Sequence, residues 1–233
     1  CGHILSEGKR SPAPDKLTAL QKWELPKTVT QLRAFLGVTN YYSGYLKGYA
    51  EYAAPLTSKL QLNRADERKG SQKSLVWNAH EIKHFEDLKK ALTAQLYLFQ
   101  VQPDKYFVLR TDASKYAIGA VLEQETDGEF HPVAFFSRKL TKGQQNWSPR
   151  ERETDAVVSA LRKWAGWIGF SPVIVKTDHK ALESWVTEFV DTPSGPAGRR
   201  ARWHETLSKF DLEVQYIPGK SNVVADAMSR YAY

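Results

Sequence analysis

Apolar and polar positions follow two different rhythms along this 233-residue chain. From the first residues to about residue 65 the spacing is helical. Leu17, Leu20 and Trp23 form a short stripe, and Leu32, Phe35 and Leu36 follow Thr28-Val-Thr-Gln31. That tetrad is a capping-box pattern, in which the Thr hydroxyl and the Gln side chain satisfy the first free backbone N–H groups. Tyr41, Tyr42, Tyr45, Tyr49 and Tyr52 continue at spacings of three and four, which reads as a packed helix face more readily than as a platform for stacking bases, and Pro55 marks the next break. Residues 62–74 are polar without apolar periodicity and read as a linker. Asn78 with Glu81 then caps a helix carrying Ile82, Phe85, Leu88 and Leu92.

From about residue 106 the rhythm changes to that of strands. Phe107 to Asp112 and Ala117 to Glu123 are β-rich runs, Asp127-Gly128 is a hairpin turn signal, and His131 to Ser137 reads as a third strand. Ser148, Pro149 and Glu151 open a long helix as N-cap, first residue and capping-box partner, and its apolar positions run through Val157, Ala160, Leu161 and Trp164. Pro172 to Thr177 is a fourth strand, His179 to Val186 a helix, 192–198 a loop, Arg200 to Lys209 a helix, Leu212 to Ile217 a fifth strand and Asn222 to Arg230 a closing helix. Three strands in meander followed by strand–helix alternation predict an α/β protein with a mixed five-stranded sheet flanked by helices, preceded by a small helical subdomain.

Composition narrows the class. The chain is 42% hydrophobic and 25% charged, which is ordinary for a globular protein. No apolar run approaches the ~18 residues of a membrane span, Cys1 to Arg10 lack an apolar signal core, and there is no initiator Met, so the chain reads as cut from something longer. A single cysteine excludes an internal disulfide or a thiolate metal site and fits a reducing compartment. Net charge is +7, and it is uneven: residues 1–106 carry 16 basic and 10 acidic side chains. A polyanionic partner such as nucleic acid fits that basic half, as does a merely solvated surface.

Four carboxylates stand where structure alone gives weak reasons for them. Asp112 ends the first strand of the sheet, where a turn starter is the plain alternative, and Asp178 ends the fourth, where an N-cap is. Glu153 shares a helix face with Ala156, Val157, Ala160 and Trp164; a carboxylate on that stripe either reaches solvent at its edge or needs a partner. Asp226 lies in the closing helix, where a solvated face is the plain reading. Jointly they mean more. Neighbouring parallel strands bring their following residues to one sheet edge, where α/β ligand sites form. An acidic cluster there repels itself and calls for hard cations, Mg²⁺ or Mn²⁺. Two such ions roughly 4 Å apart support phosphodiester hydrolysis.

Five strings in register then carry a family resemblance: Thr-Asp-Ala-Ser (111–114), Ser-Pro-Arg-Glu-Arg-Glu-Thr-Asp-Ala-Val-Val (148–158), Lys-Thr-Asp-His-Lys-Ala-Leu (176–182), Arg-Trp (202–203) and Tyr-Ile-Pro-Gly-Lys-Ser-Asn-Val-Val-Ala-Asp-Ala-Met-Ser-Arg (216–230). Together they resemble the ribonuclease H domain of Gypsy-type LTR-retrotransposon polyproteins. Residues 32–42 and 53–57 resemble the thumb end of the same element's reverse transcriptase. The resemblance implies a thumb-like segment and linker over 1–74 and a ribonuclease H-like domain over 75–233. It implies Asp112, Glu153, Asp178 and Asp226 as catalytic ligands of two divalent ions, with Glu151 as a non-catalytic acid suited to capping. It implies cleavage of RNA paired to DNA, an RNA/DNA hybrid as partner, and a cytoplasmic, intracellular setting. The palm and fingers of the polymerase are missing, since no Tyr-x-Asp-Asp motif occurs. Thr154-Asp155 stands where the family usually has Leu-Leu, and Lys220 precedes Asp226 in a loop without His. Arg199, Arg200 and Arg202 suit the phosphates of a hybrid, beside a Trp203 that suits the core. Ser114 suits backbone or sugar contact, or a turn; Lys180 and Lys220 suit phosphate, or solvent. The other reading is a domesticated fragment that serves as a structural subunit or nucleic-acid-binding module, with protein partners and no catalysis.

Overall fold

The computed structural model describes residues 3–68, 74–94, 97–178 and 197–218. It opens with a hairpin, β1 (His3–Ser6) and β2 (Lys9–Pro12), joined by Glu7-Gly8 with φ of 49° and 71°. Two left-handed central residues give a turn whose twist matches that of its strands. This corrects the helical reading of the first residues. Four-residue strands are too short to display alternation, and Glu is an unusual occupant of a left-handed site, so Gly8 alone marked the turn.

Helices follow. After α1 (Pro14–Gln21) comes α2 (Val29–Tyr41), which starts at the expected capping box: Thr28 Oγ1 accepts from Gln31 N at 3.2 Å and Gln31 Oε1 accepts from Thr28 N at 3.3 Å. A single 3₁₀ turn at Ser43–Tyr45 separates α2 from α3 (Tyr49–Arg68). Tyr42, Tyr45 and Tyr49 are buried as expected of a packed face, while Tyr41 points outward. Pro55 does not break the chain; it lies inside α3, where its missing N–H forfeits one bond, to the Glu51 carbonyl. Nor is 62–68 a linker. It continues α3, because Arg64, Ala65, Glu67 and Arg68 are strong helix formers that need no apolar stripe to propagate a helix already begun.

Next, α4 (Ala79–Thr93) begins at the Asn78–Glu81 capping box, and β3 (Leu98–Phe99) adds to β2. Phe85, Leu88 and Leu92 of α4 are fully buried against Leu20, Leu32, Phe35 and Leu56. Lys59, buried on α3, pairs with Glu81 at 2.7 Å and donates to the Val76 carbonyl, fixing the start of α4. The seam between the two main cores therefore falls after α4. In this packing α4 lies with the helices before residue 75, while the strands of the sheet begin at Phe107.

The second core is built on a five-stranded sheet. Its strands are β4 (Phe107–Ala113), β5 (Ala117–Thr126), β6 (Glu129–Lys139), β7 (Val173–Thr177) and β8 (Leu212–Tyr216), in the order β6-β5-β4-β7-β8. The first three are antiparallel and β4, β7 and β8 are parallel, so the mixed α/β sheet flanked by helices is the one expected. Asp127 and Gly128 form the expected β5–β6 turn with φ of 55° and 83°. A short α5 (Lys142–Gln145) leads to α6 (Pro149–Ile168), which lays Val157, Leu161 and Trp164 on Phe107, Leu109 and Val175, and α7 (Ala197–Leu207) adds Trp203 and Leu207. The helical core joins the sheet at β6. Arg10 donates to the Val133 carbonyl at 2.7 Å with its guanidinium 4.5 Å from the Trp167 ring, and Ala50 N donates to Ser137 Oγ at 2.9 Å.

Phe85→Ala should cost about 3–5 kcal/mol, since it empties the centre of the helical core against Phe35 and Trp77. Urea unfolding checks this; a loss under about 1 kcal/mol would show that α4 does not knit that core.

Candidate active site

The site grows from strand geometry. β4 and β7 are parallel neighbours with Arg110 paired to Lys176. Continued by two residues, that register sets Asp178 beside Asp112 at the same end of the sheet. Asp112 is the sixth residue of β4, 7% exposed, and Asp178 is the first residue past β7, partly exposed.

Glu153 comes from α6. Ser148 Oγ accepts from Glu151 N at 3.3 Å and Glu151 Oε2 accepts from Ser148 N at 3.0 Å, so Glu151 serves as the cap. Two residues on, the helix has turned Glu153 onto the buried stripe, where it is 6% exposed. Its Oε1 accepts from Ala113 N at 3.0 Å, tying α6 to the end of β4. Its Oε2 is buried with no hydrogen-bond partner. Asp112, Glu153 and Asp178 each offer an oxygen, and these lie within 4.8 Å of one another. Burial pushes the Glu153 carboxyl well above the usual carboxylate range, and the charges of Asp112 and Asp178 push it further; the Ala113 N–H and Arg152 pull weakly the other way. Among the described residues this is the one cluster of three or more His, Cys, Asp or Glu able to hold a metal ion. An all-oxygen set with an orphaned buried carboxylate oxygen fits a hard divalent cation such as Mg²⁺ or Mn²⁺.

The other expected site residues divide. Asp226, Lys180 and Lys220 lie outside the described residues. Arg199 and Arg200 fall in α7, but their side chains lie outside the described set. Arg202 is exposed on α7 beside Arg162, nine residues along α6 from Glu153 and so about 13 Å down the helix, and is not brought to the cluster. Trp203 is core, 4% exposed. Ser114 is a turn residue: its Oγ accepts from Tyr116 N at 3.1 Å and Ala117 N at 3.0 Å and donates to the Ala117 carbonyl at 3.2 Å. That saturates the hydroxyl, so the turn reading is the one the geometry carries. Arg152, adjacent in sequence to Glu153, carries no signal in the sequence. An Arg between two acids on a helix reads as solvated, whereas here the residue is half-buried with its Nε out of contact with solvent.

Residues 102–210 match the family described as the RNase H-like domain found in reverse transcriptase. This stretch of the chain is similar to the reverse-transcriptase RNase H family. Across 98% of its length the chain is 34% and 35% identical to the retrovirus-related Pol polyproteins of transposons 297 and opus of Drosophila melanogaster. It is 31% identical to the transposon Tf2-3 polyprotein of Schizosaccharomyces pombe, also over 98% of its length. It spans 20%, 23% and 16% of those three polyproteins. Among solved structures, the foamy viral protease-reverse transcriptase in complex with RNA/DNA hybrid superposes with a TM-score of 0.73 at 17% identity, over 93% of this chain and 29% of that one. A related foamy viral chain in complex with double-stranded DNA gives 0.74 at 18% identity, over 92% and 38%. At such identities the likeness shows the fold of the RNase H-like sheet and the helices before it.

The raised Glu153 carboxyl makes stability depend on pH. The folded chain keeps a proton on Glu153 at pH values where the unfolded chain has lost it, so this contribution is complete below the ordinary Glu range and is lost as pH rises through the folded Glu153 value. In metal-free buffer, Glu153→Gln should melt close to wild type at about pH 4 and increasingly above it as pH rises. Added Mg²⁺ should raise the melting temperature of wild type more than that of the variant. Thermal melts across pH with a chelator test this, and a gap that stays constant with pH contradicts it.

Proposed function

We propose that the chain is the ribonuclease H module of a retroelement reverse transcriptase and hydrolyses the RNA strand of RNA/DNA hybrids with two divalent ions. The observation that carries this reading is the trio: three carboxylates from β4, α6 and the end of β7 within 4.8 Å, with Glu153 Oε2 buried and unpartnered. Asp112, Glu153 and Asp178 would hold the ions, with Asp226 as the fourth ligand by family resemblance. Divalent ions bound there supply activation of the attacking water and neutralisation of the departing oxygen. The chain's own share is to fix the carboxylates on a strand end, a capped helix and a parallel strand end, and to surrender the Glu153 proton as a cation binds. In-line hydrolysis breaks one phosphodiester P–O bond, leaving a 3′-hydroxyl and a 5′-phosphate. Discrimination of RNA from DNA would rest on duplex shape and the 2′-hydroxyl. A purely structural subunit gives no reason to bury mutually repelling carboxylates, so the trio speaks against that reading.

A labelled RNA/DNA hybrid incubated with the chain should be cut with Mg²⁺ and left intact with a chelator. Asp112→Asn should slow cutting by roughly 10²-fold or more, since it removes a ligand charge on which metal catalysis depends. Cleavage at the wild-type rate by a folded Asp112→Asn variant would remove this assignment.

A further inference from the structure

Arg152 stands next to Glu153 on α6, and its Nε is buried without a hydrogen-bond partner. Three other arginines near the sheet have their partners: Arg138 Nη2 to Asp155 at 2.6 Å, Arg110 Nε to Glu123 at 2.7 Å, Arg162 Nη2 to Thr206 at 2.8 Å. A buried guanidinium nitrogen lacking an acceptor is unfavourable, so the position is poorly explained by stability alone. Its place on the helix is informative. One turn on, Ala156 packs with Ile118, Leu140 and Ala113 at the end of the β4–β5 hairpin. Helix side chains lean towards the N-terminus, so Arg152 leans over the hairpin end that carries Asp112. Its charge is felt at Glu153, whose acidity it strengthens slightly.

We propose that Arg152 binds a backbone phosphate of the substrate strand beside the carboxylate trio. The inference rests on the hybrid-cleavage reading and adds a residue to it. Once cations neutralise the trio, Arg152 remains as a cation with no paired acid among the described residues, and a planar guanidinium matches two oxygens of a phosphodiester. It is a substrate-positioning group with no part in proton transfer, and its removal should be read in binding more than in turnover.

The test separates the two readings. Affinity for an RNA/DNA hybrid is measured by fluorescence anisotropy across a salt series in the full chain carrying Asp112→Asn, where the substrate stays intact. Adding Arg152→Met should weaken binding about 10-fold and lower the log–log salt slope by about one, as expected when one fewer phosphate is neutralised. Arg152→Lys should recover part of the affinity. In the otherwise wild-type chain, Arg152→Met should raise KM while kcat stays within about threefold. Melting temperatures verify that every variant is folded. Unchanged affinity and slope in Arg152→Met overturn the proposal even if wild type cuts the hybrid. Arg152-dependent binding by a wild-type chain that cuts nothing sustains the phosphate site and overturns the nuclease reading. Arg152-dependent capture of an acidic peptide with no effect on hybrid binding also overturns the phosphate site.

Discussion

Repulsion among Asp112, Glu153 and Asp178 is the constraint on which the sheet end is organised. Their oxygens lie within 4.8 Å of one another. At an effective dielectric of about 20, each pair of full charges at that distance costs about 3 kcal/mol. Three such pairs would consume much of the roughly 5–15 kcal/mol by which a domain is stable. The cluster can therefore persist only with a proton or cations in it, and the raised Glu153 carboxyl is the metal-free solution. The scaffold resists the alternative, in which the carboxylates move apart. Asp112 is held within a central strand, Asp178 directly follows that strand's parallel neighbour, and Glu153 is pinned by the Ala113 N–H.

Helical period explains why two glutamates two residues apart have opposite fates. Glu151 is at the third position of α6, where its carboxylate reaches back to Ser148 in partial contact with solvent. Glu153 is rotated about 200° further round and meets the sheet. Asp155 turns again and is buried beside Arg138, Ser159 and Gln144, with its charge matched by Arg138 at 2.6 Å. This pairing accounts for the Thr154-Asp155 departure from the family's Leu-Leu. Thr154 satisfies its hydroxyl on the Arg150 carbonyl, and Asp155 exchanges apolar contact for a tie between α6 and β6, without adding to the repulsion felt at Glu153.

What could be read in the sequence was what is encoded locally. The capping boxes at Thr28, Asn78 and Ser148 formed as their residues dictate, and Asp127-Gly128 announced its hairpin. The Glu7-Gly8 hairpin has the same left-handed pair but is not legible, because Glu carries no preference for that conformation. Non-local facts are out of reach in the same way. Nothing in residues 75–94 says that α4 packs on α1 and α3 and away from the sheet, and no spacing rule distinguishes the half-buried Arg152 from the solvated Arg it resembles. The meeting of Asp112 and Asp178 was legible because parallel strand ends converge by geometry, and that of Glu153 because helical period sets it on the stripe facing the sheet.

The two cores meet on the side of the sheet away from the acidic cluster's parallel strands. Arg10, Ala50 and Ser58 attach to Val133, Ser137 and Lys139, all on β6, the edge strand of the antiparallel half. Asp178 follows β7, three strands away in the order β6-β5-β4-β7. The edge strand is also tied directly to the helix that carries Glu153, through Arg138 and Asp155, so the helical core bears on the carboxylates both across the sheet and along α6. β5, buried from Ala117 to Gln124, is the stiff element between them. Both routes hold the trio in place: the antiparallel ladders fix β4 with Asp112, and the Arg138–Asp155 and Arg10–Trp167 contacts fix α6 with Glu153.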